Sequence, residues 1–130
     1  MIGLPSLAQM DQSSPARIWL SMRPMDMRCG FDRMAEMARI VTNHDPQSGH
    51  LFVFRSRGGD RLKILFWDRD GFAMFYKRLE EGTFKFPRHN DSASSIELRS
   101  SELAMLLEGI DLASVKRTKR YVPNGGQMAI

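Results

Sequence analysis

Apolar positions along the chain change period, and each change marks an element. From Phe31 onward they fall at Phe31, Met34, Ala35, Ala38 and Val41, with Asp32, Arg33, Glu36 and Arg39 between them. That spacing is one face of an α-helix turned inward with the charges turned to water. The helix is expected to stop before Asn43-His44-Asp45-Pro46, because Pro46 disfavours helical geometry at Asp45. The pattern then becomes that of strands. Leu51 to Phe54 is an unbroken apolar run ending at Arg55, and Arg61 to Trp67, Phe72 to Leu79 and Thr83 to Phe86 follow. Gly58-Gly59-Asp60, Asp68-Arg69-Asp70-Gly71 and Glu81-Gly82 supply the turns between them, which predicts an antiparallel meander. In the second of these strands Leu62, Ile64 and Phe66 share one face and Lys63, Leu65 and Trp67 the other. Neither face is fully polar, so one should meet the helix while the other, partly apolar and half covered, can receive a partner.

The flanks are shorter. Arg17 to Ser21, bounded by Pro15 and Pro24, carries Ile18 and Trp19 and predicts a strand ahead of the helix. Pro87 to Ser95 is a polar loop. Ser100 is the expected N-cap of a short second helix, with Glu102 in its first turn, Leu103, Leu106, Leu107 and Ile110 as its buried stripe and Gly109 as its stop. The expectation is a single α+β domain over 16–112: an antiparallel meander sheet packed by one longer and one short helix. A loose arm over 1–15 and a basic flexible tail over 113–130 flank it.

Composition narrows the class. The chain has 130 residues, 42% of them hydrophobic, which suffices for one modest core and leaves no room for two ordinary domains. Cys29 is the single cysteine, so no internal disulfide framework exists. No stretch approaches the roughly 18 apolar residues of a membrane span, and the first residues lack the pattern of a signal peptide, so a cytoplasmic protein is expected. The net charge of +4 permits a polyanionic partner.

The cations carry the candidate chemistry. Arg55, Arg57, Arg61, Lys63, Arg69, Lys77 and Arg78 lie on and between the meander strands, against Asp60, Asp68 and Asp70. A basic strand surface with exposed aromatics can track phosphates and stack on unpaired bases. Lys116, Arg117, Lys119 and Arg120, with Tyr121 beside them, form a cationic tail of the kind that adds salt-dependent affinity for nucleic acid. For both groups the alternative is a solvated, locally paired surface. Asp68-Arg69-Asp70 reads as a turn rather than a metal dyad, and His44, His50 and His89 have no zinc-type spacing with Cys29. Cys29 reads as a packing residue, and Gly58-Gly59 lacks the frame of a phosphate loop. Neither a metal nor a cofactor is expected, and no catalytic constellation is legible.

Several segments in order match a known pattern. They are Asp26-Met27-Arg28-Cys29-Gly30-Phe31-Asp32, then Pro46-Gln47-Ser48-Gly49-His50-Leu51-Phe52-Val53-Phe54, then Asp60-Arg61-Leu62-Lys63-Ile64-Leu65-Phe66-Trp67-Asp68. Lys77-Arg78-Leu79-Glu80-Glu81-Gly82-Thr83-Phe84 and Leu106-Leu107-Glu108-Gly109-Ile110-Asp111 complete the series. Over residues 17–111 the chain thereby resembles the accessory-protein family, called TnpB, of the insertion sequences numbered sixty-six, which is distinct from the RNA-guided nucleases of the same name. Leu7 to Pro15 depart from that pattern. The resemblance implies a non-enzymatic role supporting transposition, beside a separate, larger transposase of the same element. Binding to the element's DNA ends, to the transposase, or to both is the leading expectation. A protein-interaction or homo-oligomerisation module without DNA contact is the alternative, and an enzyme acting on nucleic acid through Asp68 and Asp70 ranks last.

Overall fold

The computed structural model describes residues 16–87 and 93–111. The elements are β1 (Ile18–Ser21), α1 (Phe31–Thr42), β2 (Leu51–Arg55), β3 (Arg61–Asp68), β4 (Gly71–Arg78), β5 (Ser95–Leu98) and α2 (Ser100–Leu107). The sheet runs β4-β3-β2-β1-β5. β2, β3 and β4 form the expected antiparallel meander. β1 adds a parallel pair with β2, Ile18 opposite Leu51, and β5 closes the far edge antiparallel to β1. The α+β domain is as expected, with a mixed sheet. A parallel pair needs a long crossover, and α1 supplies it.

α1 follows its periodicity. Met34, Ala38 and Val41 are buried, and the helix ends where Asn43 enters the left-handed region at φ 59 with its N–H donating to Arg39 O. Asn tolerates this conformation better than most residues, so it makes a serviceable C-terminal stop. Phe31, expected on the buried stripe, is instead 45% exposed at the first position of the helix. α2 begins at its expected cap, Ser100, so the true cap lies one residue earlier. Arg99 is the N-cap, its N–H donates to the Glu102 carboxylate at 2.8 Å, and Ser100 is the first helical residue and buried. Its end is a Schellman arrangement around Gly109 at φ 85, with Ile110 N–H donating to Met105 O and Gly109 N–H to Leu106 O.

Both faces of the sheet are covered. On one, Ile18, Leu20, Leu51, Val53, Leu62, Ile64 and Phe66 pack with Leu103 and Leu106 of α2 and with Phe84. On the other, Phe52, Phe54 and Leu65 pack with Met25, Met34, Ala38 and Val41. β3 therefore has no half-covered face of the kind expected among the described residues: α1 lies over one face, and α2 with Phe84 over the other. The unbroken run Leu51 to Phe54 is explained by this: a central strand covered on both sides needs apolar residues at every position. Thr83 to Phe86, expected as a fourth meander strand, is not one. Phe84 N–H donates to Gly59 O and its ring turns into the core, so the segment serves as a plug across the hairpin rather than as a ladder. The fifth strand comes instead from Ser95–Leu98.

Candidate nucleic-acid interface

The β2–β3 turn is organised by a buried serine. Ser56 Oγ donates to Asp60 Oδ1 at 3.2 Å and accepts from Arg61 N–H at 3.0 Å. Gly59 takes the left-handed conformation at φ 79 that closes such a turn. The result is a rigid tip from which Arg57 projects, exposed and with no side-chain hydrogen bond or ion pair among the described residues. Immediately behind it, Arg61 of β3 stands directly opposite Arg78 of β4. Like charges in register across a ladder repel. Arg78 Nε donates to Glu80 Oε2 at 3.1 Å, and Arg61 Nη1 donates to the Tyr76 hydroxyl at 3.5 Å. Tyr76 is 46% exposed and lies on the same face of the ladder. Arg57 and Arg61 also border a cleft of about 380 Å³ lined by Pro24, Met25, Asp26, Met27, Ser56 and Asp60. Asp26 in that cleft is committed elsewhere: its hydrogen bonds from Arg28 hold its carboxyl at about 2.

The remaining cations of the meander divide differently from the expected single basic face. Lys63, expected to point outward, is 5% exposed. Its Nζ donates to Met27 O at 2.6 Å and Cys29 O at 2.9 Å and sits 4.7 Å from the centre of the Tyr76 ring. The physical reason is position: Lys63 shares its face with Leu65, beneath the loop that enters α1, so its stem is covered and its ammonium must find carbonyls. Lys77 lies on the opposite face and donates to Leu107 O at 3.0 Å, a cation at the negative end of α2. Arg55, on that same face, donates to Met22 O at 3.2 Å and lies 5.6 Å from the Phe86 ring centre. Arg69 is exposed at the β3–β4 turn, at φ 58, the length of β3 away from Arg61, or about 23 Å at strand rise.

Of the seven meander cations, then, the exposed Arg57 and Arg78 and the half-buried Arg61 gather at one end of the sheet. Arg55, Lys63 and Lys77 serve internal contacts at that end, and Arg69 stands apart. Lys116, Arg117, Lys119 and Arg120 lie outside the described residues, as does His89. Asp68 and Asp70 flank Arg69 in its turn, where Trp67 Nε1 donates to Arg69 O at 3.1 Å. Among the described residues no three His, Cys, Asp or Glu side chains converge as metal ligands, and no helix is long and apolar enough to cross a membrane. Tyr76 was not singled out by the sequence. The signal for it was there: a two-residue turn pairing Asp68 with Gly71 forces Lys63 opposite Tyr76 and Arg61 opposite Arg78.

The model of a protein family described as "IS66 Orf2 like protein" matches residues 16–117. The chain is also similar to two proteins of Sinorhizobium fredii, both named as uncharacterized. One, y4hO, is 38% identical over 104 residues, covering 80% of this chain and 89% of that protein. The other, y4jC, is 35% identical over 101 residues, covering 78% and 85%. No solved structure matches the chain.

Proposed function

The chain belongs to the IS66 Orf2-like family of insertion-sequence-associated proteins, and from that premise we propose that it is a non-catalytic transposition factor that holds DNA at the cationic end of its sheet. Arg57, Arg61 and Arg78 contact phosphates there, and Tyr76 offers a ring on which an unpaired base can stack. The basic tail, Lys116, Arg117, Lys119 and Arg120, adds sequence-independent affinity. The transposase of the same element is the protein partner, and the chemistry of strand transfer belongs to it.

The observation that carries this reading is the in-register pair of Arg61 and Arg78 beside Arg57, which has no side-chain partner among the described residues. Two guanidinium groups opposed across a ladder cost stability in the free protein, and a bridging phosphate removes that cost. The tether of Arg61 to the Tyr76 hydroxyl keeps its charge beside the ring rather than in bulk water.

Fluorescence-anisotropy titration tests the proposal, with duplex and single-stranded DNA from the ends of the element, at about 50 mM salt, where phosphate contacts are strongest. Binding is expected, and replacing Arg57, Arg61 and Arg78 together by Ala should weaken it by about ten-fold or more. The same variant should keep the far-UV circular dichroism of the parent, because Arg57 and Arg78 are exposed and Arg61 is half-buried, outside the core. Absence of binding by the full chain, alone and with its transposase, removes the DNA reading. So does undiminished affinity in the triple variant.

A further inference from the structure

The two edges of the sheet are unlike. β5 is four residues long and places Glu97 outward, paired with Arg17 at 3.6 Å. Short, charged edges resist pairing with another strand. β4 is eight residues long, and from Gly71 to Tyr76 it carries neither a charge nor a proline. No strand among the described residues lies on its outer side. Its side chains are half-buried up to Phe75, with Phe72 and Met74 on the α1 face and Ala73 and Phe75 on the other. A long, apolar, unprotected edge is a template for strand addition.

The hydrogen-bond alternation fixes which groups are on offer. Leu79 N–H donates to Asp60 O, so the odd positions of β4 bond to β3. The even positions, Phe72, Met74, Tyr76 and Arg78, direct their N–H and C=O groups outward. Two copies related by a two-fold axis perpendicular to the sheet must pair antiparallel with even positions facing even positions. Two such registers overlap seven residues of β4. One is centred on Phe75 and sets Phe72 against Arg78 and Asp70 against Glu80, a mismatch and a repulsion. The other is centred on Met74. It sets Phe72 against Tyr76 of the second copy and Asp70 against Arg78 of the second copy, each twice. Aromatic and opposite-charge cross-strand pairs are the favourable ones.

We infer that the chain forms a two-fold dimer through antiparallel β4–β4 pairing centred on Met74, giving one continuous ten-stranded sheet with reciprocal Asp70–Arg78 ion pairs. About six backbone hydrogen bonds join the copies in this register. The inference does not rest on the DNA reading, since its readout is association of the protein alone; the five N–H donors of Arg78 leave it able to meet a phosphate while its guanidinium is shared between Glu80 and Asp70 of the second copy.

Asp70 and Arg78 sit at opposite ends of β4, so within one copy they cannot meet, and a charge exchange between them reports only on the dimer. Sedimentation of nucleic-acid-free full-length protein should show a dimer at tens of micromolar. Asp70→Arg and Arg78→Asp should each raise its dissociation constant by about ten-fold or more, and the double variant should return it to within about three-fold of the parent. The recovery in the double variant guards against misfolding of either single one. Hydrogen exchange should show the Phe72, Met74 and Tyr76 amides protected in the dimer and released on dilution. A monomer at all concentrations overturns the inference, including one in which residues 1–15 or 112–130 protect those amides. So does a dimer indifferent to the two reversals, or one whose double variant stays dissociated.

Discussion

Lys63 and Arg57 look alike in the sequence and do opposite things in the fold. Lys63 is a buried ammonium in no ion pair among the described residues, held by two carbonyls of the loop that enters α1 and by the face of Tyr76. Charge-assisted hydrogen bonds of this kind contribute more than neutral ones, and their loss leaves Met27 O and Cys29 O without a donor. Lys63→Met keeps the covered stem and removes the charge. It should lower unfolding free energy by about 2 kcal/mol in a urea titration, partly offset because a buried charge is no longer desolvated. Arg57→Ala should change it by about 0.5 kcal/mol or less, because an exposed turn side chain without a partner among the described residues holds none of them in place. If the two substitutions cost the same, the division of the meander cations into internal and solvent-facing sets is wrong. That division was not legible residue by residue. Strand alternation assigns Lys63 to a face, but whether a face is covered depends on where the crossover helix lands.

At the scale of elements, the chain's local pattern made α1, β2, β3 and β4 legible, and β1 and α2 as well, because periodicity, polar turns and helix-end signals are local properties. β5 escaped because Ser95–Leu98 is four residues with two apolar positions, too short to show a period. The parallel pairing of β1 with β2 escaped because it is set by the crossover and not by either strand. Its start is pinned by His50: Arg17 N–H donates to His50 Nδ1 at 2.9 Å, beside Leu51 N–H donating to Arg17 O. His44 stands edge-on to His50 and stacks on Trp19, so the turn after α1 packs on the same joint. The His50 pKa is held below its ordinary 6.5, first by burial, then by the neighbouring His44 and Arg17, with Glu97 opposing. Folding therefore favours neutral His50, and the unfolded chain takes up the proton first as pH falls. The stability this provides is complete above about 6.5 and is lost as pH drops from there through the folded-state value. Protonation also converts Nδ1 from acceptor to donor, directly against the Arg17 N–H. The urea midpoint should fall between pH 7.5 and 5, and His50→Asn, whose amide oxygen can accept the same bond, should flatten that fall. An unchanged pH dependence in this variant would assign the effect to other groups.

For the whole molecule, the net charge of +4 is less informative than its placement. The meander cations were legible as a set, since the segment from Arg55 to Arg78 holds a local excess of positive charge. Their convergence on one end of the sheet, and the diversion of three of them inward, required the register. The proposed DNA contact then has two parts with different chemistry: a fixed cluster at Arg57, Arg61 and Arg78, and the tail cations Lys116, Arg117, Lys119 and Arg120. Counterion release separates them. Each phosphate neutralised on duplex DNA contributes about −0.9 to the slope of log K against log salt. The cluster alone gives a slope of roughly −3, and both parts together give one steeper than about −5, if most of the tail cations engage phosphate. Replacing the four tail cations by Ala should therefore flatten the slope by about 3 and weaken binding alike for every sequence. Replacing the cluster should also flatten it by about 3, and if Tyr76 stacks on a base, it should reduce the preference for single-stranded over duplex DNA, which the tail variant should retain. Equal slopes for parent and tail variant would confine the contact to the folded end of the sheet. Equal slopes for parent and cluster variant would leave the opposed arginines without a phosphate to relieve them, and the reading built on them would fail.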